Sequence, residues 1–242
     1  MVYTNAPIRE AVFDIKIDKL NIKQIEDLQA FKEFVSVDFP KEKKRHNITG
    51  MFEFSPDKPI ETKAQSDITG YVFLSEDSTR QIQVRIDGIT LNILKPYEKW
   101  ETHFESFINN WIQYEKMFSP NQVTRIATRF INRIEIPHPI TRFQDYILNM
   151  PPIPKCLPQL FSNFFMQIQV PSKDEFRNII LTETIEPFDD SVLPFILDID
   201  VFQELNVDKS IEHLTINFNE MRLIKNEIFE NCITDKTRQL FS

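Results

Sequence analysis

The sequence predicts an α+β fold with helices on one face of an antiparallel sheet. Three observations lead to it. Most short apolar segments alternate with period two, as strands with one buried face do. Two longer segments, 97–118 and about 208–232, carry their large apolar residues at helical spacing. The elements also come in a repeated order of strand, helix, several strands and long helix, once on each side of the stop at Ser119-Pro120-Asn121.

Ile8–Asp18 (IREAVFDIKID) is the first strand. Arg9, Ala11, Phe13, Ile15 and Ile17 fall on one face, and Glu10, Val12, Asp14, Lys16 and Asp18 on the other. In residues 21–35, Ile22, Ile25, Leu28, Phe31 and Phe34 recur three apart, which predicts a short amphipathic helix. Pro40–Asn47 (PKEKKRHN) reads as a polar loop. Strands are expected at 51–54, 70–75, 80–87 and 89–95. Asp87-Gly88 between the last two is a tight-turn signal and predicts a hairpin. In its first strand Ile82, Val84 and Ile86 share one face, and Gln81, Gln83 and Arg85 the other. Trp100, Phe104, Phe107, Trp111, Tyr114 and Phe118 then line one side of helix 97–118.

The order restarts with a strand over Val123–Ile136 and a short helix at 141–149. A Pro-rich connection, MPPIPKCLP, leads to strands at 161–170, 176–185 and 193–202. The long C-terminal helix, from about Asp208 to Cys232, sets Ile211, Leu214, Phe218, Met221, Ile224 and Ile228 on one stripe. The two copies share almost no sequence, so the expectation is of two structurally similar halves, 1–120 and 121–242, in one compact unit. The pattern looks like the two-lobed saddle of TATA-binding-protein-like folds. A helix-grip fold, one curved sheet around a long C-terminal helix, is the alternative.

Composition removes several functions. The 242 residues are 41% hydrophobic and 26% charged, ordinary for a globular chain with a sizeable core. With 22 Phe against 2 Trp, much of that core is expected to be Phe. The three glycines, Gly50, Gly70 and Gly88, stand alone, so a P-loop, a dinucleotide fingerprint and a kinase loop are absent. No GxSxG or HExxH occurs, and His46, His103, His138 and His213 form no motif. Cys156 and Cys232 give no metal spacing and no disulfide framework, which predicts a reducing cytoplasm and an ordinary thiol at Cys156. No metal or cofactor is expected. Charges interrupt the N-terminal segment too early for a signal peptide. No apolar run approaches the roughly 20 residues needed to span a bilayer, so no membrane is expected. The net charge of −8 weighs against broad nucleic-acid binding.

One stretch, VTRIATRFINRIEIP (Val123–Pro137), sets Arg125, Arg129 and Arg133 every fourth residue in an apolar run. Its β-branched residues favour a strand, with Ile126, Phe130, Ile134 and Ile136 toward the core. Arg125, Ala127, Arg129, Ile131, Arg133 and Glu135 then form the other face. In FILDIDVF, Asp198 and Asp200 alternate with core residues in the same way, as do Glu10 and Asp14 in the first strand. On one reading the arginines pair with these carboxylates across the sheet. On the other, the seven residues Arg125, Arg129, Arg133, Glu10, Asp14, Asp198 and Asp200 line a polar surface that grips a partner.

The expected function is a non-catalytic binding or regulatory protein that recognises another protein. One alternative is a metal-dependent nuclease or phosphotransferase with Mg²⁺ on Asp198 and Asp200, to which Asp14 and Lys16 would add a D-x-K pair. No upstream acidic residue stands at matching spacing. The other alternative is a nucleic-acid-binding saddle using Arg125, Arg129 and Arg133.

Four segments carry a resemblance: NAPIREAVFDI (Asn5–Ile15), TRFINRIEIP (Thr128–Pro137), ILDIDVF (Ile196–Phe202) and KNEIFENCITDKTRQLF (Lys225–Phe241). They resemble a sporadically distributed bacterial protein family of similar length and unassigned molecular function. The similarity runs through the chain apart from Phe34–Thr79, and its most specific patterns are N-A-P-I-x-E-A-V-F and K-N-x-I-F…T-D-x-T-R. The resemblance implies a stand-alone cytosolic protein from accessory genes, such as mobile or defence-linked cassettes. It supplies no catalytic residues. In the last of these segments Thr234 or Asp235 is placed to cap a short final turn. Leu240 and Phe241 must bury against the domain or a partner.

Overall fold

The computed structural model describes residues 3–53, 61–187, 192–204 and 207–242. Its strands are β1 (Ile8–Ile17), β2 (Lys41–Glu53), β3 (Glu61–Leu74), β4 (Arg80–Arg85), β5 (Gly88–Leu94), β6 (Val123–Pro137), β7 (Phe165–Pro171), β8 (Asn178–Ile185) and β9 (Val192–Gln203). They form one nine-stranded sheet in the order β2-β3-β4-β5-β1-β6-β9-β8-β7, with every neighbouring pair antiparallel. The helices are α1 (Lys32–Val35), α2 (Trp100–Phe118), α3 (Ile211–Cys232) and α4 (Asp235–Arg238). The fold is α+β, as the alternating runs imply.

The long helices share one face of the sheet. Phe13, in the middle of β1, has its ring 4.9 to 6.1 Å from Trp100, Phe104 and Phe107 of α2, and 6.2 Å from Phe218 of α3. Phe31, just before α1, reaches Phe73 of β3 and Tyr114 and Phe118 of α2, so the first helical segment packs on that face too. Phe13, Phe73, Phe107, Phe130, Phe195 and Phe218 are all buried, each contributing about 1.5–3 kcal/mol by leaving water. The core is Phe-rich, as the composition suggests.

Local chemistry fixes the ends of the elements. Ser119 takes a left-handed conformation (φ 46°) and donates its N–H to Glu115, and Pro120 ends α2 behind it. Ser210 caps α3 by accepting from His213 N–H, and Thr234 caps α4 by accepting from Thr237 N–H. Phe241 is buried within the domain, its ring 5.3 Å from Tyr3 and 6.2 Å from Phe229. Asn5 N–H donates to the Phe241 carbonyl at 3.0 Å, tying the N-terminal segment to the C-terminal turn.

Several expected elements need correction. Pro40–Asn47 is not a loop: Lys41–Asn47 is the first half of β2, paired with Leu74 through Asp67 of β3. Buried Tyr71 and Phe73 sit in a strand that needs a hydrogen-bonded neighbour, and that demand overrides the polar composition of 41–47. Phe54, at the end of the expected strand 51–54, lies outside the described residues. The helix expected in 21–35 is mostly a 3-10 turn, Ile25–Phe31, and the one expected at 141–149 is only the turn Phe143–Asp145. The strand expected from 161 begins at Phe165, because Phe161 and Phe164 turn instead onto Phe143 and Phe195.

Candidate functional site

The face of the sheet away from the helices carries the charged residues. Strand alternation dictates this: Phe130 and Ile134 of β6 are buried on the helix side, so Arg125, Arg129 and Arg133 project from the other. Asp14 of β1 and Asp198 and Asp200 of β9 project from the same face. The geometry brings most of these together. Arg129 holds Asp198 with two donors, Nε at 2.9 Å and Nη2 at 2.5 Å. Arg125 lies along the strand past small Ala127, with its guanidinium 4.5 Å above the Phe202 ring. From there it reaches Asp200 at 3.0 Å and Asp14 at 3.5 Å.

Two predicted members sit apart from this pairing. Glu10 accepts from Asn92 Nδ2 at 2.7 Å rather than from an arginine. Arg133 pairs with Glu186 at 3.1 Å and with Glu135, neither of which the alternation of the four named carboxylates points to.

The site also contains groups that sequence reading missed. Arg85 of β4 is buried and donates to Asp14 from Nη1 at 3.1 Å and Nη2 at 3.0 Å, and to Asp87 from Nε at 3.0 Å. Thr90 donates to Asp14 at 2.5 Å. Arg85 reaches Asp14 across the whole width of β5, and Gly88 makes that possible. A Cβ at Gly88, where φ is +144°, would fall 2.1 Å from the Ile15 carbonyl oxygen and 3.0 Å from Arg85 Nη2. The available signal was that Arg85 shares the polar face of its hairpin and stands three residues before a lone glycine.

The electrostatics follow from burial and pairing. Burial pushes the Asp200 carboxyl above its ordinary pKa even with Arg125 and Arg129 beside it, and its Oδ1 has no hydrogen-bond partner among the described residues. The hydrogen bond to Asp198 holds the Arg129 guanidinium above its usual value. For Arg85, burial works against the cation, and Asp14 and Asp87 more than offset it. Asp198 thus has both oxygens turned to Arg129, and Asp200 has Oδ2 turned to Arg125. A metal ion would have to displace those guanidiniums. Among the described residues no group of three or more His, Cys, Asp or Glu is arranged to hold one.

On the helix side, a cleft of about 440 Å³ runs between the N-terminal segment, Tyr97–Glu101, β6 and α3. Asn5–Ile15, Thr128–Pro137 and Lys225–Phe241 contribute to its lining, through Pro7, Phe130 and Asn226 among others. Lys225 sets its Nζ 3.9 Å from the Phe130 ring centroid, with no carboxylate in salt-bridge reach among the described residues. Burial, and secondarily Arg222, push its pKa down to about 7. Arg222 is taken by Glu101 at 2.8 Å, and Glu230 by Arg238 and Tyr3 at 2.9 Å each. The cleft lining sets Lys99, Arg222 and Lys225 against Glu98, Glu101 and Glu230.

No protein-family model matches the chain, and no curated protein matches it. No described helix is long and apolar enough to cross a membrane.

Proposed function

We propose that the chain is a non-catalytic binding protein that recognises another protein through the ion-paired face of its sheet. The observation that supports this most is that Asp14, Asp198 and Asp200 are each held by an arginine. Carboxylates committed to guanidiniums are poorly placed to collect Mg²⁺, which weighs against the nuclease or phosphotransferase alternative. Arginines committed to carboxylates are likewise poorly placed for phosphates, and the neighbouring acids repel them, which weighs against the nucleic-acid saddle. What remains is a broad surface of fixed, alternating charge with Val12 and Ile131 half-buried among the ion pairs. Such a surface suits a protein partner of complementary charge pattern.

The repeated order, with β1 and β6 as a central pair and each long helix following its own group of strands, supports two related halves. Two long helices on one face support the saddle over a helix-grip fold with a single one. The resemblance to a sporadically distributed bacterial family supports a cytoplasmic role in an accessory or defence-linked cassette.

The test is affinity capture from the source organism with the wild type, Lys16→Glu and Arg129→Ala, with melting curves to check folding. Lys16 is exposed on the same face, so its reversal changes the surface without touching the core. A specific partner should be captured by the wild type and lost in both variants. A partner retained by both would place recognition elsewhere. Divalent-dependent nuclease or phosphotransferase activity that disappears in Asp198→Asn would overturn the non-catalytic reading.

A further inference from the structure

We propose that the chain forms a two-fold dimer through β7, two copies pairing these edge strands antiparallel about an axis at Ile168 to make one continuous sheet. This does not depend on the function proposed above. β7 ends the sheet and pairs only with β8 among the described residues. Its backbone groups on the far side therefore lack ladder partners, the usual template for adding a strand. Phe165, Ile168 and Val170 are 69%, 43% and 41% exposed, an unusual apolar load for an edge.

The occupant follows from the sequence of the strand. FMQIQVP is uncharged and close to palindromic about Ile168. An antiparallel pairing centred there sets Ile168 against Ile168 of the second copy, Gln167 against Gln169, Met166 against Val170 and Phe165 against Pro171. Like meets like at every pair but the terminal Phe165–Pro171. Met166, Ile168 and Val170 stand opposite Glu183, Leu181 and Ile179 of β8 on the helix side, so the two copies would join their exposed apolar residues into one stripe. On the other face Gln167 and Gln169 would bond amide to amide. An isologous contact of this kind closes on itself and leaves no further β7 edge.

The opposite edge shows the contrast. β2 carries Lys41, Lys43, Lys44 and Arg45, the cations that keep an edge strand in solvent and prevent it from pairing with a copy of itself. One edge of the sheet is protected by charge and the other is not.

The test uses the full chain. Sedimentation equilibrium over a concentration series should show a monomer–dimer equilibrium. Ile168→Lys should raise the dissociation constant roughly 100-fold or more, because two ammonium groups would then face each other on the axis. Its melting curve at low concentration should match the wild type, since this side chain is already 43% exposed. In a Cys156→Ser background, which removes the exposed native thiol, Ile168→Cys should oxidise to a covalent dimer and Phe165→Cys should not. A chain that is monomeric at every concentration, a dimer that survives Ile168→Lys, or equal cross-linking at 165 and 168 would each overturn the proposal.

Discussion

At the scale of single residues, Arg85 and Asp14 matter most, because both are buried: 6% and 8% exposed. Removing Arg85 leaves Asp14 with Thr90 and only the longer 3.5 Å contact to Arg125. Arg85→Ala should therefore cost about 3–5 kcal/mol. Arg129→Ala removes a half-exposed cation and should cost less, though more than the roughly 0.5 kcal/mol of an ordinary surface change. Urea denaturation of the two variants side by side checks the order. Glu183 gives a pH test. It is fully buried, accepts from Asn149, and burial raises its pKa from 4.5 to about 7. Between those values the folded chain keeps a proton that the unfolded chain has lost, so this group's stability contribution falls as pH rises through the window. Glu183→Gln keeps the shape and offers a donor to Asn149 Oδ1, which has no partner among the described residues. It should melt above the wild type at pH 8 and show no such pH-dependent advantage at pH 4, by calorimetry at the two pH values. Much of the charged face was legible, since Arg125, Arg129, Asp14, Asp198 and Asp200 follow from strand alternation alone. Arg85 and Glu186 were not, because their partners depend on which strand lies beside which, and alternation says nothing about strand order.

At the scale of elements, the informative failure is β2. Its first half has neither alternation nor β-branched residues, and local composition could not reveal a strand whose pairing is dictated by Tyr71 and Phe73 next door. The short helices failed for a related reason. Three-residue spacing in 21–35 fits a 3-10 turn as well as an α-helix, because side chains three apart align in both. The end of α2 was better specified, and it can be tested. Ser119 holds a left-handed conformation that costs a non-glycine residue about 1–2 kcal/mol. Ser119→Gly should leave stability equal or slightly higher, while Ser119→Val should lower it, since a β-branched residue tolerates that conformation worst. Thermal melts of both variants suffice.

At the scale of the whole molecule, a net charge of −8 surrounds a face whose own charges are largely matched. Short duplex or single-stranded DNA should bind weakly or not at all at physiological salt, measured by fluorescence anisotropy. Binding that persists there and is lost in Arg129→Ala would contradict the proposed function. Likewise Mg²⁺ or Mn²⁺ should leave the melting temperature unchanged, with Asp198→Asn plus Asp200→Asn as the control for any shift that does occur. The position of β1 has a consequence of another kind. It is made well before β6, yet it lies between β5 and β6, and its register with β6 pairs Ile15 with Ile126. A nascent chain must therefore carry this strand with one side open until the segment around Val123–Pro137 has left the ribosome, and the sheet cannot span its centre before then. Pairing across so long a stretch of chain is slow, so refolding should run on the millisecond-to-second scale rather than in microseconds. During that delay Phe13, Ala11 and Ile15 are the residues most in need of a chaperone.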